Sequence, residues 1–189
     1  MKKTIKDIFK DSIAVKEASL DCNMDAIIQA VKEITRALKK NKKVILFGNG
    51  GSAADSQHIA AEFVGRFQRE RPALPAISLT TDTSALTALA NDYGFDIVFA
   101  RQLEALGSKG DVAIGLSTSG NSPNVLLALK QAKKMGLKTI SFTGGKGGKM
   151  APVTDIKIVV PSQITARVQE THICIAHCIC ELVENQFAK

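Results

Sequence analysis

The sequence predicts an α/β fold in which five parallel strands form one sheet with helices on both faces. From Val44 onward, short apolar runs alternate with longer segments of helical periodicity, and this alternation is typical of parallel sheets with right-handed crossovers. The run 44–47 is unbroken, as in a strand covered on both faces. We therefore expect one domain over residues 1–189, with N-terminal helices over 1–42 and an α/β core over 43–189.

The N-terminal 42 residues have helical periodicity and predict two helices with a break near Ser19–Asn23. Their apolar stripes contain Ile5, Ile8, Phe9, Ile13 and Val15 in the first helix, and Ile27, Ile28, Val31, Ile34, Thr35 and Leu38 in the second. A leading helix outside the β-α units packs either at a subunit interface or on the edge of its own sheet. The periodicity alone leaves both possibilities open.

The remaining elements alternate along the chain. After the first strand and its helix, further strands are predicted over 74–79, 111–116, 138–142 and 155–160, and helices over 84–91, 95–106, 123–135 and 166–187. Pro123 after Ser122 is a strong signal for a helix start. The helix after the first strand should begin at Ser52, which we expect to be its N-cap.

Composition excludes several classes of protein. Among the 189 residues, 45% are hydrophobic and 23% charged, and no run approaches the roughly 20 apolar residues of a membrane span. The charged N-terminus does not resemble a secretory signal. Three of the four cysteines share the last predicted helix, which favours reduced thiols in the cytoplasm over a disulfide framework. The net charge of +7 suits an anionic substrate and also permits weak nucleic-acid contact, but 5% aromatics without Trp supply few stacking groups.

The chain is organised around a glycine turn between the first strand and its helix. Gly48, Gly50 and Gly51 permit a close approach of the backbone to a ligand. His58 and Glu62 follow at i, i+4 and share one helix face, so a ligand on the turn could meet an imidazole and a carboxylate. Apolar neighbours predict that this helix is mostly buried. A turn without a ligand and a surface ion pair are the alternatives to an enzyme site.

A second cluster of polar side chains follows the third strand. Four hydroxyls, Gly120 and a helix N-terminus gather over 117–122 without an acidic residue, which suits a phosphate group. An ordinary serine-rich turn is the alternative. The glycine-rich loop 143–149, with Lys146 and Lys149, ranks second as a phosphate site. If the first and third strands are neighbours, the two loops at their carboxyl ends flank one crevice.

The last helix carries three polar residues among apolar ones: Gln169, His172 and His177. Gln169 and His177 lie about 80° apart around the helix and roughly 12 Å apart along its axis, so they could approach one ligand only from opposite sides. A lone histidine on an apolar helix is usually a core residue. The cysteines at 174, 178 and 180 resemble a metal cluster, but thiols on a buried helix more often act as small hydrophobes.

Taken together, these motifs resemble the phosphoheptose isomerases of the sugar-isomerase (SIS) domain superfamily. The resemblance extends over nearly the whole chain through the segments 48–62, 71–77, 90–92, 117–122 and 167–177. It implies a flavodoxin-like three-layer fold and a cytoplasmic homotetramer with active sites between subunits, where one subunit's last helix presents Gln169 and His177 to another's loop. It also implies the conversion of sedoheptulose 7-phosphate to D-glycero-D-manno-heptose 7-phosphate, the first step toward ADP-heptose and lipopolysaccharide.

The resemblance also implies roles for individual residues. Glu62 would be the base of an enediol mechanism, with His177 as the acid. Substrate contacts would come from Asn49, Gly50, Gly51, Ser52, Glu62, Asn91, Asp92, Ser117, Thr118, Ser119, Ser122 and Gln169. One zinc ion per subunit would be held by His58, Glu62, Gln169 and His177, either in catalysis or in ordering the site.

Two other functions compete with this interpretation. The first is a non-catalytic SIS protein that binds the replication initiator; such proteins lack the carboxylate and imidazole that stand here at Glu62 and His177, which favours the enzyme. The second is an isomerase for another phosphosugar, which neither the sheet nor the phosphate loop excludes. No nucleic-acid or membrane partner is expected.

Overall fold

The structure, a computed structural model, describes residues 1–188 and confirms the predicted three-layer α/β architecture. The helices are α1 (Lys2–Leu38), α2 (Gly51–Val64), α3 (Thr83–Tyr93), α4 (Val98–Leu106), α5 (Pro123–Lys134) and α6 (Thr165–Glu184). The strands are β1 (Val44–Gly48), β2 (Ala76–Ser78), β3 (Val112–Ser117), β4 (Lys138–Gly144) and β5 (Ile156–Val160). Short 3-10 helices lie over Phe95–Ile97 and Ala151–Val153.

The sheet has the strand order β2-β1-β3-β4-β5, and all its neighbours are parallel. Strands β1 and β3 pair along their whole length, with Gly48 opposite Leu116. The chain leaves β1 toward β2 and returns on the other side of β1 at β3, so the order reverses between these two strands. The loops that follow β1 and β3 therefore flank one crevice, as the sequence predicted.

Helices cover both faces of the sheet, and each face has its own apolar core. Strand β1 shows the alternation, because Leu46 packs into one core and Ile45 and Phe47 into the other. The first core is completed by α1, α2 and α6, and the second by α3, α4 and α5. Helices α2 and α6 therefore lie on the same face, beside the glycine turn.

Helix α1 is continuous over 37 residues, so the predicted break near Ser19–Asn23 is wrong. Asn23, at the end of that stretch, is instead buried and docks the helix onto the sheet. The Asn23 amide donates to the Val159 carbonyl at 3.0 Å and accepts from the Val159 N–H at 2.8 Å. Asn23 thus supplies the hydrogen bonds that a further strand would give to edge strand β5, and the edge is covered.

The N-terminal part of α1 is exposed in the single chain. Large apolar side chains that face solvent along it are Ile5, Ile8, Phe9, Ile13, Leu20, Met24 and Ile28. The helix is about 55 Å long at 1.5 Å per residue, longer than the sheet it covers. Over residues 1–188, no helix combines the length and apolarity needed to cross a membrane.

Most other boundaries agree with the prediction to within one or two residues, but two elements are shorter. Strand β2 spans only Ala76–Ser78 rather than 74–79, because prolines at 72 and 75 remove N–H donors from its approach. Its hydrogen bonding continues slightly further, since the Leu79 N–H donates to the Leu46 carbonyl at 2.9 Å. Helix α6 ends at Glu184 rather than at 187.

Candidate active site

The glycine turn begins the site. Gly50 has φ of +55° and precedes the first residue of α2, so Gly50 and not Ser52 is the N-cap, and the predicted cap is wrong. Ser52 is instead 5% exposed, and a Cβ on Gly48 would lie 2.8 Å from the Ser52 Cβ. The absence of a side chain at Gly48 therefore lets α2 start directly against the sheet, with Ser52 beneath the turn.

Three ligand-type side chains converge on the last turns of α2 and the middle of α6. His58 Nε2 lies 3.0 Å from His177 Nε2 and 3.2 Å from Glu62 Oε1. The donor atoms of all three residues lie within 4.8 Å of one another. The predicted burial of α2 holds only for one face, which includes Ile59 and Phe63, because the His58 side chain is 48% exposed and that of Glu62 20%. The cluster is open enough for a ligand to reach it.

Helix α6 brings both Gln169 and His177 to this region within the same chain, and their presentation to the loop of another subunit stays a prediction. A Cβ on Gly51 would lie 1.8 Å from Gln169 Nε2, which means that the glutamine amide occupies the space beside the turn. Gln169 therefore lies at the start of α2, and His177 about two helical turns further along that helix, as their separation on α6 requires.

Sequence reasoning missed two neighbours of the cluster. The Phe67 ring lies 5.4 Å from the His177 ring, centroid to centroid. Asp55 lies one turn before His58 on α2. Burial raises the pKa of the Asp55 carboxyl, and the electrostatic interaction with His58 partly opposes that shift. Asp55 stands within the glycine-turn motif in the sequence, but a role for Phe67 has no local signal, because the loop that carries it meets α6 only in the folded chain.

The serine loop after β3 brings three hydroxyls together. Ser117 Oγ lies 2.8 Å from Ser122 Oγ and 3.4 Å from Ser119 Oγ. Ser122 is the N-cap of α5 and Pro123 its first residue, as predicted. The Ser122 hydroxyl does not cap the helix backbone, so it is available to an anion together with its neighbours. Of the first N–H groups of α5, Pro123 has none and that of Val125 donates to Asn124 Oδ1 at 2.9 Å, so the helix itself adds little more than the Asn124 N–H. Thr118 is half-buried in the same loop.

The glycine-rich loop 143–149 packs directly on the serine loop. A Cβ on Gly148 would lie 2.6 Å from the Gly120 carbonyl oxygen, and one on Gly120 would meet Gly147. The Lys149 N–H also donates to Asn121 Oδ1 at 3.1 Å. The two loops that competed as phosphate sites therefore form one surface, in which Lys149 is exposed.

Asn49 and Asn124 join the glycine turn to α5. Each amide donates to the other, at 2.8 and 2.9 Å. Asn49, predicted to contact substrate, thus uses its side chain to fix the two loops, and Asn124 was missed. Asn91 and Asp92 are exposed at the end of α3, where Asn91 Nδ2 donates to Asp92 Oδ1 at 2.9 Å. In the described chain, no hydrogen bond links these two residues to the His58 cluster.

His172 is a core residue, as its apolar setting predicted. It is fully buried, and its Nε2 lies 3.1 Å from the Thr143 carbonyl oxygen, to which a ring N–H can donate. Burial lowers the pKa of His172 from 6.5 to about 4, against the opposing effect of that hydrogen bond. Of the α6 cysteines, only Cys180 is buried; Cys174 and Cys178 are exposed, so the prediction of small buried hydrophobes is wrong for these two.

Comparison with known proteins agrees with this geometry. The SIS domain family model matches residues 8–144. A phosphoheptose isomerase of Aquifex aeolicus is 56% identical over 184 residues, covering 97% of this chain and 96% of the relative. One of Helicobacter pylori is 53% identical over 184 residues, covering 96% of each.

Solved structures give the same result. The phosphoheptose isomerase structure from Neisseria gonorrhoeae superposes with a TM-score of 0.92 at 43% identity, covering 97% of this chain and 98% of that one. The one from Francisella tularensis gives 0.93 at 38% identity, with 97% of each chain covered. With the family model matching residues 8–144 and with identity above 50% over nearly its whole length, the chain belongs to the phosphoheptose isomerases of the SIS domain family.

Proposed function

We propose that the protein converts sedoheptulose 7-phosphate to D-glycero-D-manno-heptose 7-phosphate. One observation carries the proposal: a carboxylate and two imidazoles converge on α2, the helix that starts at the glycine turn, and that turn is joined to the loop suited to phosphate. The names of relatives more than 50% identical over nearly the whole chain support the same activity. The product would enter ADP-heptose synthesis, the route to lipopolysaccharide, and residues 1–189 would act as one domain.

In this mechanism Glu62 and His177 move protons and leave the carbon skeleton intact. Glu62 removes a proton from C1 of the ketose, and the electron pair forms the C1=C2 bond of an enediol. His177 donates a proton to the C2 carbonyl oxygen. Glu62 then returns a proton to C2, while the C1 hydroxyl loses its proton to His177 and becomes the aldehyde. A base and an acid held side by side, next to adjacent carbon and oxygen atoms of the substrate, suit this exchange.

The serine loop would bind the phosphate. The hydroxyls of Ser117, Ser119 and Ser122 already lie near one another, and the Asn124 N–H at the start of α5 adds a backbone donor. Thr118 belongs to the same loop. Substrate contacts from the glycine turn and α6 would come from Asn49, Gly50, Gly51, Ser52 and Gln169, and contacts from α3 would come from Asn91 and Asp92. Two of these contacts are nearly inaccessible in the single chain: Ser117 is 4% exposed and Ser52 is 5% exposed.

The residues present fit a zinc ion. Tetrahedral zinc with bonds near 2.1 Å needs ligand atoms about 3.4 Å apart, and His58 Nε2 lies 3.0 Å from His177 Nε2 and 3.2 Å from Glu62 Oε1. These three residues would hold the metal, with Gln169 as the fourth ligand. Bound zinc would supply a Lewis acid near the substrate oxygens, or would only order the cluster, since a carboxylate bound to metal is a weaker base.

We further propose a cytoplasmic homotetramer with active sites at subunit interfaces. The exposed apolar stripe of α1 supports assembly, because monomeric proteins rarely expose a contiguous apolar surface of this extent. His58 is 48% exposed, and a neighbouring subunit over α2 would complete the enclosure of the cluster.

The activity is tested directly with purified protein and sedoheptulose 7-phosphate, followed by proton NMR. We expect the aldehyde-derived anomeric signals of an aldoheptose 7-phosphate to appear. Fructose 6-phosphate serves as a shorter phosphosugar for comparison. Turnover of that compound without any aldoheptose from the first would replace this proposal with an isomerase of another specificity.

A further inference from the structure

A buried ion pair lies directly behind the active-site cluster and takes no part in the proposed chemistry. Arg71 Nε lies 3.4 Å from Glu184 Oε1, and each side chain is only 1% exposed. Removing two charges from water is expensive, and a buried pair is often no more stabilising than packed apolar residues. A contribution to stability alone therefore does not account for this pair. The hydrogen bonds of Arg71 and Glu184 point to a role in holding the two segments that carry and contact the active-site residues.

Arg71 binds the carboxyl end of α2, the helix that carries His58 and Glu62. Its Nη2 donates to the main-chain oxygen of Glu62 at 2.7 Å, and its Nη1 donates to those of Phe63 at 2.7 Å and Gly65 at 2.9 Å. The last carbonyls of a helix lack partners within the helix. One guanidinium thus replaces those partners and holds the backbone of Glu62 itself.

Glu184, at the end of α6, binds the loop that follows α2. Its carboxylate accepts from the N–H groups of Phe67 at 2.8 Å, Gln68 at 2.7 Å and Arg69 at 2.8 Å. Burial would raise the pKa of Glu184, but these N–H donors and Arg71 together hold it below its ordinary value. The backbone of Phe67 is thereby fixed, and the Phe67 ring lies 5.4 Å from the His177 ring.

We propose that the Arg71–Glu184 pair positions the active site. Arg71 sets Glu62 through its main chain, and Glu184 sets His177 through Phe67, so that one ion pair adjusts the base and the acid relative to each other. Both residues are positioning residues, because their side chains do not reach the ligand atoms of the cluster. The inference rests on the proposed isomerase function.

A matched ion pair elsewhere in the chain provides the control. Asp111 is also 1% exposed and lies 2.7 Å from Lys43 Nζ. Its carboxylate accepts from the N–H groups of Lys43 at 3.1 Å and Ser108 at 2.9 Å. Asp111 precedes β3, so this pair lies at the amino end of the sheet, opposite the crevice. Asp111→Asn therefore removes a buried carboxylate of the same kind without touching the site.

The test compares Glu184→Gln, Arg71→Lys and Asp111→Asn by kcat, KM and thermal unfolding, with kcat measured well below each Tm. We expect all three to lower Tm. We expect Glu184→Gln and Arg71→Lys to lower kcat by about 10–100-fold, the usual effect of losing an outer-shell partner, with KM changed much less. Asp111→Asn should retain the kcat of the unaltered protein. Equal kcat in all three variants would overturn the proposal.

A fourth variant keeps the proposal testable if loss of the ion pair prevents folding. Phe67→Leu leaves the backbone bonds to Glu184 in place and removes only the ring beside His177. We expect lower kcat and weaker zinc binding in a chelator competition, with Tm almost unchanged; unchanged kcat and zinc affinity would refute the Phe67 step. Inactivity of the unaltered protein would contradict the proposed function instead, which separates the two failures.

Discussion

His58 Nε2 and His177 Nε2 lie 3.0 Å apart, although they belong to different helices and are separated by 119 positions in the chain. Two imidazole nitrogens at this distance must share either a proton or a cation, because two lone pairs facing each other repel. Glu62 Oε1, 3.2 Å from the first of them, adds negative charge on the same side. The cluster is therefore arranged for a positive ligand.

Zinc binding should depend on these histidines and not on the remaining one. We expect the purified protein to bind one zinc ion per subunit, and His58→Gln and His177→Gln to bind zinc at least about 10-fold more weakly, since each replaces a strong nitrogen ligand. His172→Gln is the control and should keep full stoichiometry. Elemental analysis after dialysis checks the prediction, and equal zinc loss in all three variants would contradict it.

The Glu62→Gln variant tests whether Glu62 acts as the base that removes a proton from carbon or only packs in the site. The amide keeps the size of the side chain but cannot accept the proton, so kcat should fall by at least the roughly 10²–10⁴-fold that general base catalysis supplies. Glu104→Gln makes the same change on an exposed α4 carboxylate and should have no effect. In D₂O the product of the unaltered protein should carry deuterium at C2. If the Glu62→Gln variant were fully active and its product also carried deuterium at C2, Glu62 could not be the base.

The serine loop should govern substrate affinity more than turnover. Ser119→Ala combined with Ser122→Ala removes two donors to the phosphate, and each charge-assisted hydrogen bond is worth about 1.5–3 kcal/mol. We expect KM to rise by about 10²–10⁴-fold with a smaller change in kcat. Ser108→Ala, at the opposite end of the sheet, is the control. An unchanged KM in the double variant would assign the phosphate to loop 143–149.

Acid should destabilise the protein through His172. Because burial lowers the pKa of His172 from 6.5 to about 4, the unfolded chain binds a proton between these values that the folded chain does not. Stability is therefore complete above pH 6.5 and falls toward pH 4, by about 3 kcal/mol for this group. Urea unfolding across that range should show a shallower pH dependence for His172→Gln, whose amide can still donate to Thr143; parallel curves would exclude this cause.

Assembly should depend on the exposed stripe of α1. Phe9 and Ile13 are 68% and 55% exposed in the single chain, so burying a carboxylate at either position in an interface would be costly. We expect Phe9→Glu combined with Ile13→Glu to give smaller species than the tetramer in light scattering after gel filtration. Lys10→Gln, on the same helix, should leave the size unchanged. A double variant that remains tetrameric would place the interface elsewhere.

The local patterns were sufficient for the sheet and for the histidine–carboxylate pair on α2. Unbroken apolar runs identified the strands. The i, i+4 spacing placed His58 beside Glu62 because residues four apart on one helix lie on the same face. The sequence predicted one crevice between the two loops only if β1 and β3 were neighbours, and the observed strand order shows that they are.

The parts that sequence could not predict depend on contacts distant in the chain. Asn23 suggested a helix break because a polar residue favours ends and turns, whereas its amide is satisfied by Val159, 136 positions away. Asn124 and Phe67 lack any motif, since the first matters through Asn49 and the second through His177. The sequence correctly predicted the distance between Gln169 and His177 along α6. That both residues contact α2 of the same chain follows only from the packing of the two helices.

Helix α2 also has electrical polarity along its length. Its amino end, at Gly51, carries partial positive charge and opens toward the crevice, while its carboxyl end carries partial negative charge. Glu62 lies in that last turn, where the partial charge of the helix adds to the charge of the carboxylate. A single helix of 14 residues thus offers its positive end to an anionic sugar phosphate, while the buried Arg71 guanidinium neutralises its negative end beneath Glu62.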